Sequence, residues 1–246
     1  MNVKDRFKKI QDRIAAAAAR SGRNIHDITV VGVTKYATMA QIQELIAAGH
    51  FDLGESRVQQ LQLRAQEVKR WLLEGVCPTL AAPEKINWHM IGHLQRNKAS
   101  LALSLAWLIH SVDTLRLAEE LNAQAKRHGQ MAQLLLEINT TGEENKYGAA
   151  PAAARPMARA IHKLENVRLM GLMTMARQSE NPEDSRPAFV CLRNLYEEIL
   201  REKSAGPHFT HLSMGMSGDF EVAVEEGATL VRIGTALFGA ESGRMA

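Results

Sequence analysis

The stretch "ITVVGVTK", residues 28–35, decides how the chain is read. Its first six residues are apolar or small and rich in β-branched side chains, the texture of a strand covered on both faces. A lysine, Lys35, follows after Thr34. Seven more runs of this kind come after it: "HFDLGES" (50–56), "INWHMIGHL" (86–94), "AWLIHSVD" (106–113), "AQLLLEINT" (132–140), "NVRLMGLMTMA" (166–176), "HFTHLSMGMS" (208–217) and "TLVRIGTALFG" (229–239). Segments with helical spacing of apolar residues separate them, such as "MAQIQELIAAG" (39–49), "TLRLAEELNAQAKRHG" (114–129) and "PAFVCLRNLYEEIL" (187–200). Thr114 and Asp219 stand where N-caps belong, and Gly49, Gly129 and Gly227 where helices stop. Eight strand–helix units, with one helix added in front, predict a (β/α)8 barrel, a TIM barrel of the α/β class, as a single domain over residues 1–246. An open doubly wound sheet is the alternative arrangement of the same elements. The segment "LLEGVCPTLAAPEK" (72–85) reads as a surface insertion, and "ESGRMA" (241–246) as a frayed tail.

The composition narrows the function classes. The 246 residues are 46% hydrophobic and 23% charged with a net charge of +3, as in an ordinary globular domain. Basic residues are mixed with acids and aromatics are only 5%, so neither a nucleic-acid patch nor a base-stacking surface is expected. Two cysteines, Cys77 and Cys191, lack metal-ligand spacing, so neither a metal site nor a disulfide is expected and a reducing cytoplasm is the natural setting. The N-terminal alanine run is short, weakly apolar and preceded by Asp5 and Asp12 among the lysines, so it reads as a soluble helix rather than a signal sequence. No apolar run approaches the roughly 18 residues that span a bilayer.

In a barrel, function collects at the C-terminal ends of the strands, and phosphate is often held after strands seven and eight. Lys35 ends strand one. Flanked by Val31 and Val33 on its own face, it would be partly desolvated and its amine free to form a Schiff base; the alternative is a lysine that simply reaches to water. Strand seven ends in "LSMGMSGD", where Ser213, Gly215 and Ser217 share a face by period-two spacing. Strand eight carries Arg232 and Gly234 on one face, with Thr235 next. An arginine inside a barrel strand favours a ligand role over a structural ion pair. Strands one and eight are neighbours in a closed barrel. A phosphorylated aldehyde could therefore bond to Lys35 while its phosphate rests on strands seven and eight, and pyridoxal 5′-phosphate (PLP) meets that description.

These stretches carry a resemblance. "VGVTK" with Lys35, "DLGESRVQQ" (52–60), "NWHMIGHLQRNK" (87–98), "HSVD" (110–113), "INTTGEENKYG" (138–148), "GLMTMA" (171–176), "LSMGMSGDFEVAVEEGAT" (212–229) and "VRIGTALFG" (231–239) run in order over nearly the whole chain. In them the chain resembles the YggS/PROSC-like PLP homeostasis proteins. The resemblance implies a fold-type III barrel like that of alanine racemase, with PLP as a Schiff base on Lys35. It implies a phosphate held by Ser213, Gly234 and Thr235 with the Met214 backbone, and Arg232 facing the pyridine nitrogen. Ser56 and Met173 complete the implied cofactor contacts. A cation at the ring nitrogen weakens the cofactor as an electron sink. Where the family reads "GEN" this chain reads "GES", so Ser56 offers a shorter side chain there.

Racemases with this barrel carry a second, all-β domain that supplies a tyrosine base, and the sequence stops soon after strand eight. The expectation is therefore a cytoplasmic, monomeric PLP carrier, with PLP-dependent apo-enzymes as recipients, rather than an enzyme. The alternatives are a weak PLP-dependent racemase or decarboxylase, with a base from Tyr147, His89 or a partner protein, and, more remotely, a cofactor-free lysine aldolase. Tyr36 is expected to point away from Lys35 by alternation. His89 and His93 share one face of strand three. The loop around Lys146 is a candidate transfer site or lid.

Overall fold

The computed structural model describes residues 1–74, 86–143 and 145–239. Residues 75–85 of the expected insertion, Cys77 among them, and the expected tail at 241–246 lie outside the described residues. Cys191 is a free thiol. No described helix is long and apolar enough to cross a membrane.

Helix α1 (Val3–Arg20) opens the chain, and its apolar residues recur every three or four positions. Val3, Phe7, Ile10, Ile14 and Ala17 are all buried, and the Asn2 side chain caps the helix by accepting from Asp5 N–H at 2.8 Å. Eight strands then alternate with helices. The strands are β1 (Thr29–Val33), β2 (Asp52–Glu55), β3 (Asn87–Met90), β4 (Leu108–Val112), β5 (Ala132–Glu137), β6 (Val167–Met173), β7 (His211–Ser213) and β8 (Leu230–Ile233). The helices that follow them are α2 (Met39–Ala47), α3 (Val58–Leu73), α4 (Ala99–Leu105), α5 (Leu115–His128), α6 (Ala154–His162), α7 (Arg186–Arg201), α8 (Phe220–Glu225) and α9 (Thr235–Phe238).

The strands pair in parallel and in sequence order into a closed barrel, with Val31 of β1 opposite Arg232 of β8. That closing pair rules out the open sheet. Thr38 and Gln41 form a capping box at α2, Thr114 accepts from Leu117 N–H at α5, and Gly129 ends α5 in the left-handed conformation. Asp219 does precede α8, but its carboxylate does not cap it. It accepts instead from Met216 N–H at 2.6 Å and Ser185 Oγ at 2.9 Å.

Inside the barrel, Val31, Leu108, Leu135, Met173 and Leu230 form an apolar cluster. The strands are shorter than the apolar runs that announce them. β1 stops at Val33 and β7 at Ser213, so period-two alternation fails beyond those residues. At the end of β7 the chain turns sharply at Gly215, with φ of 91°, and a Cβ there would lie 2.5 Å from the Cβ of Ala223 in α8. Ala223 is fully buried and cannot retreat.

Gly215→Ala should therefore lose about 2 kcal/mol or more of stability, from left-handed strain plus overlap. Gly218→Ala, where a Cβ would meet nothing within 4 Å, should lose little. Urea unfolding of the two variants checks the contrast.

Candidate functional site

The C-terminal strand ends open into a cavity of about 610 Å³. It is lined by Lys35 and Tyr36 after β1, Ser56 after β2, Glu137 of β5, Arg232 of β8, and the Met216–Asp219 and Gly234–Thr235 segments after β7 and β8. Strand geometry alone brings these six places together, because every βα loop of a barrel emerges on one face.

Lys35 differs from the sequence expectation. It lies beyond β1 in a turn closed by Ala37 N–H donating to Thr34 O at 3.0 Å, and it is exposed rather than desolvated. Its ammonium lies 4.5 Å from the centroid of the Tyr36 ring. The same turn brings Tyr36 to the cavity, against the alternation argument. Below the turn, Glu55 accepts from Thr34 Oγ1 at 2.6 Å, while its Oε2 is buried with no partner among the described residues. Burial raises the Glu55 carboxyl above its ordinary range, against the hydrogen bond from Thr34.

Arg232 forms the floor. It is only 3% exposed, donating from Nη1 to Ser213 Oγ at 2.6 Å and from Nη2 to Thr174 O at 2.8 Å. Burial lowers it to about 10, against the attraction of Glu137 and Asp219. Glu137 also faces the cavity while 4% exposed, and no described residue donates a hydrogen bond to its carboxyl. Burial first, then the charge of Asp113, push it up to about 7, against the pull of Arg232.

At the β7 and β8 ends the predicted phosphate seat splits. Ser213 is fully buried beneath Arg232, and Met214 N–H is occupied by Leu230 O at 3.1 Å. Met173 is likewise sealed in the apolar cluster. None of these three lines the cavity: Ser213, the last residue of β7, and Met173, the last of β6, point into the barrel interior, and the chain turns toward the rim only at Gly215. The rim is built instead by Ser217, whose Oγ accepts from Gly234 N–H at 3.3 Å and Ala236 N–H at 3.2 Å. The N–H groups of Ser217, Gly218 and Thr235 have no acceptor among the described residues.

Ser56 reaches the cavity, and its backbone is pressed so closely by the loop after β3 that a Cβ on Gly92 would lie 2.2 Å from Ser56 O. His93, past the end of β3, stacks on Tyr147 with centroids 3.8 Å apart, and both line the cavity. His89 does not; it is buried in the barrel. Lys146 is tied to Glu143 at 2.6 Å and to Ala176 O at 3.2 Å. The sequence reading missed Glu137, although a lone acid closing "AQLLLE" two residues after Leu135 was the available signal.

Comparison with known proteins identifies the family and the fold. The family described as the alanine racemase N-terminal domain matches residues 8–242. A pyridoxal phosphate homeostasis protein of Aquifex aeolicus is 39% identical over 239 residues, 97% of this chain and 98% of its own. A crystal structure of an unknown protein from Bifidobacterium adolescentis matches with a TM-score of 0.87 at 36% identity, over 96% of this chain and 94% of that one. The structure of PipY from Synechococcus elongatus with PLP bound matches with a TM-score of 0.76 at 33% identity, over 94% of this chain and all of that one.

Glu137 gives this site a pH signature. With its value raised from 4.5 to about 7, the folded protein keeps a proton that the unfolded chain has released between those pH values. Stability therefore falls as pH rises through that window, by about 3 kcal/mol in all. Glu137→Gln lacks this titration, so its stability relative to the parent should climb by that amount between pH 4 and pH 8. Denaturant unfolding at both pH values measures the difference, and an unchanged gap would mean an ordinary carboxylate.

Proposed function

The chain belongs to the alanine racemase N-terminal domain family and, within it, to the pyridoxal phosphate homeostasis proteins, and from that premise we propose that it binds PLP and serves PLP homeostasis. The observation that carries the reading is one cavity presenting a free amine, a buried cation and a cluster of unoccupied backbone N–H groups. PLP needs those three things: an amine for its aldehyde, a partner for its ring nitrogen and donors for its phosphate.

The residues fit the group. Lys35 Nζ, exposed at the rim, would form the covalent link. The N–H groups of Ser217, Gly218 and Thr235 would receive phosphate oxygens, with Gly234 beside them leaving the approach uncrowded. Arg232 would present its guanidinium to the ring nitrogen, and Ser56 would contact the cofactor from β2. Ser213 and Met214 would act from beneath the floor, Ser213 through Arg232. When bound, PLP supplies an electrophilic carbon and a conjugated electron sink, which a facing cation keeps weak.

Holding and releasing the cofactor follows from the residues present. Lys35 sits on an exposed turn, where an incoming amine can reach it. Delivery to PLP-dependent apo-enzymes, with the protein acting as a monomer, is the second part of the proposal. Relatives such as that of Aquifex aeolicus are named for homeostasis rather than for catalysis. Glu137 favours one alternative, a weak racemase or decarboxylase, because a cavity carboxyl that titrates at about 7 is able to move protons near neutral pH.

Protein incubated with PLP should gain a visible absorption band that Lys35→Ala abolishes; no band in the parent would sink the proposal. Ser217→Ala should weaken PLP binding about tenfold, because the hydroxyl that accepts from Gly234 and Ala236 N–H, and so ties the two halves of the rim together, is lost. Loaded protein mixed with single L-amino acids in D₂O should show no α-proton exchange at enzyme-like rates by NMR. Fast exchange would move the assignment to the enzyme.

A further inference from the structure

A single line of polar side chains crosses the barrel interior from the cavity floor to its far end. Arg232 Nη1 lies 2.6 Å from Ser213 Oγ, Ser213 Oγ 2.9 Å from His110 Nδ1, His110 Nε2 2.9 Å from His89 Nδ1, and His89 Nε2 3.2 Å from Asp52 Oδ1. Ser213, His89 and His110 are wholly buried. Asp52, at the start of β2, is the terminus, and it lines a separate cavity of about 300 Å³ beneath α1. Buried polar groups are costly unless every one is paired, and here each ring nitrogen has one partner.

Hydrogen counting gives the line a direction. Arginine can only donate, so Ser213 Oγ accepts from Arg232. Asp52 is held below its ordinary range: burial pushes it up, but hydrogen bonds from His89 and Asn87 outweigh that. A carboxylate only accepts, so His89 must donate from Nε2. From the other end, the Ser213 hydroxyl proton has His110 Nδ1 as its acceptor within reach, so His110 donates from Nε2 and His89 accepts at Nδ1. Every donor then points from the guanidinium toward the carboxylate. The reverse order would leave Ser213 accepting twice, with its own proton lacking an acceptor among the described residues. Burial, with the charge of Arg232 beside it, keeps His110 well below its ordinary value and hence neutral.

We propose that Ser213, His110 and His89 are positioning residues that anchor Arg232 to Asp52 across the barrel and so fix the guanidinium toward the cavity. Thr174 O holds the other guanidinium arm at 2.8 Å, leaving little freedom to turn. The consequence for the cofactor rests on the PLP reading above: the cation facing the ring would owe its orientation to residues that never touch PLP. The hydrogen-bond directions do not depend on that reading.

Two measurements test it. Nitrogen-15 NMR of the cofactor-free protein should find both His89 and His110 as neutral Nε2–H tautomers. His110 as the Nδ1–H tautomer, or His89 doubly protonated, overturns the directed line whatever the protein binds. In the loaded protein, Ser213→Ala should shift the absorption maximum of bound PLP and weaken its affinity about tenfold, a charged donor having lost its acceptor. Ser213→Thr, which keeps the hydroxyl, should restore both. An unmoved maximum and affinity in a folded Ser213→Ala protein overturns the positioning role. A parent protein that gains no band with PLP would remove the PLP reading instead, while the tautomers still decide the line.

Discussion

A guanidinium enclosed in a closed barrel is the constraint around which the interior is arranged. Arg232 stays charged near pH 7 even with its value lowered to about 10, so it must be paired where it stands. Pairing it occupies the inward positions of several strands with Ser213, His110 and His89, and it requires Thr174 O to turn inward. The apolar cluster of Val31, Leu108, Leu135, Met173 and Leu230 fills what remains. A barrel interior is usually packed with branched aliphatic side chains. The departure here follows from placing one permanent cation at the cavity floor.

The site divides into a rigid floor and an accessible rim. The floor residues Arg232 and Glu137 are buried among strands, and their shifted titration reflects that burial. The rim residues Lys35, Tyr36, Ser217 and Gly218 lie on turns beyond the last strand residues. Loops on a rigid scaffold are where binding groups commonly sit. Under the proposed function this division suits reversible storage: the floor orients the ring, while the covalent link forms where another amine can compete for it.

Much of the fold was legible because parallel barrel strands advertise themselves as apolar runs. Each of the eight runs contains its strand, from "ITVVGVTK" around β1 to "TLVRIGTALFG" around β8. Strand ends were not legible, since "HFTHLSMGMS" gives no sign that pairing stops at Ser213. That one boundary decides which serine lines the cavity: alternation carried past it keeps Ser213, Gly215 and Ser217 on one face, whereas the turn at Gly215 leaves Ser213 in the interior and brings Ser217 to the cavity. The same error made Lys35 look desolvated and sent Tyr36 outward. Strand order alone puts Lys35, Arg232, Gly234 and Thr235 at one cavity, a property of topology that survives small errors in register, and Ser56, implied by the family resemblance, lines the same cavity.

The misplacement of Ser213 also shows why residue type and position do not by themselves fix a role. A serine at a strand end reads as an anion ligand. With β7 ending there, the same hydroxyl faces the interior, accepts from the guanidinium and has one proton left to give. His110 Nδ1 is the acceptor within reach, and its own Nε2 proton must then find His89. The requirement to satisfy each buried donor in turn carries the line to the one group that can end it, a carboxylate beside water at the far end of the barrel. Asp52 fills that place with 22% of its side chain exposed. A residue that looks unconnected to the cavity is therefore tied to its floor by hydrogen-bond satisfaction alone.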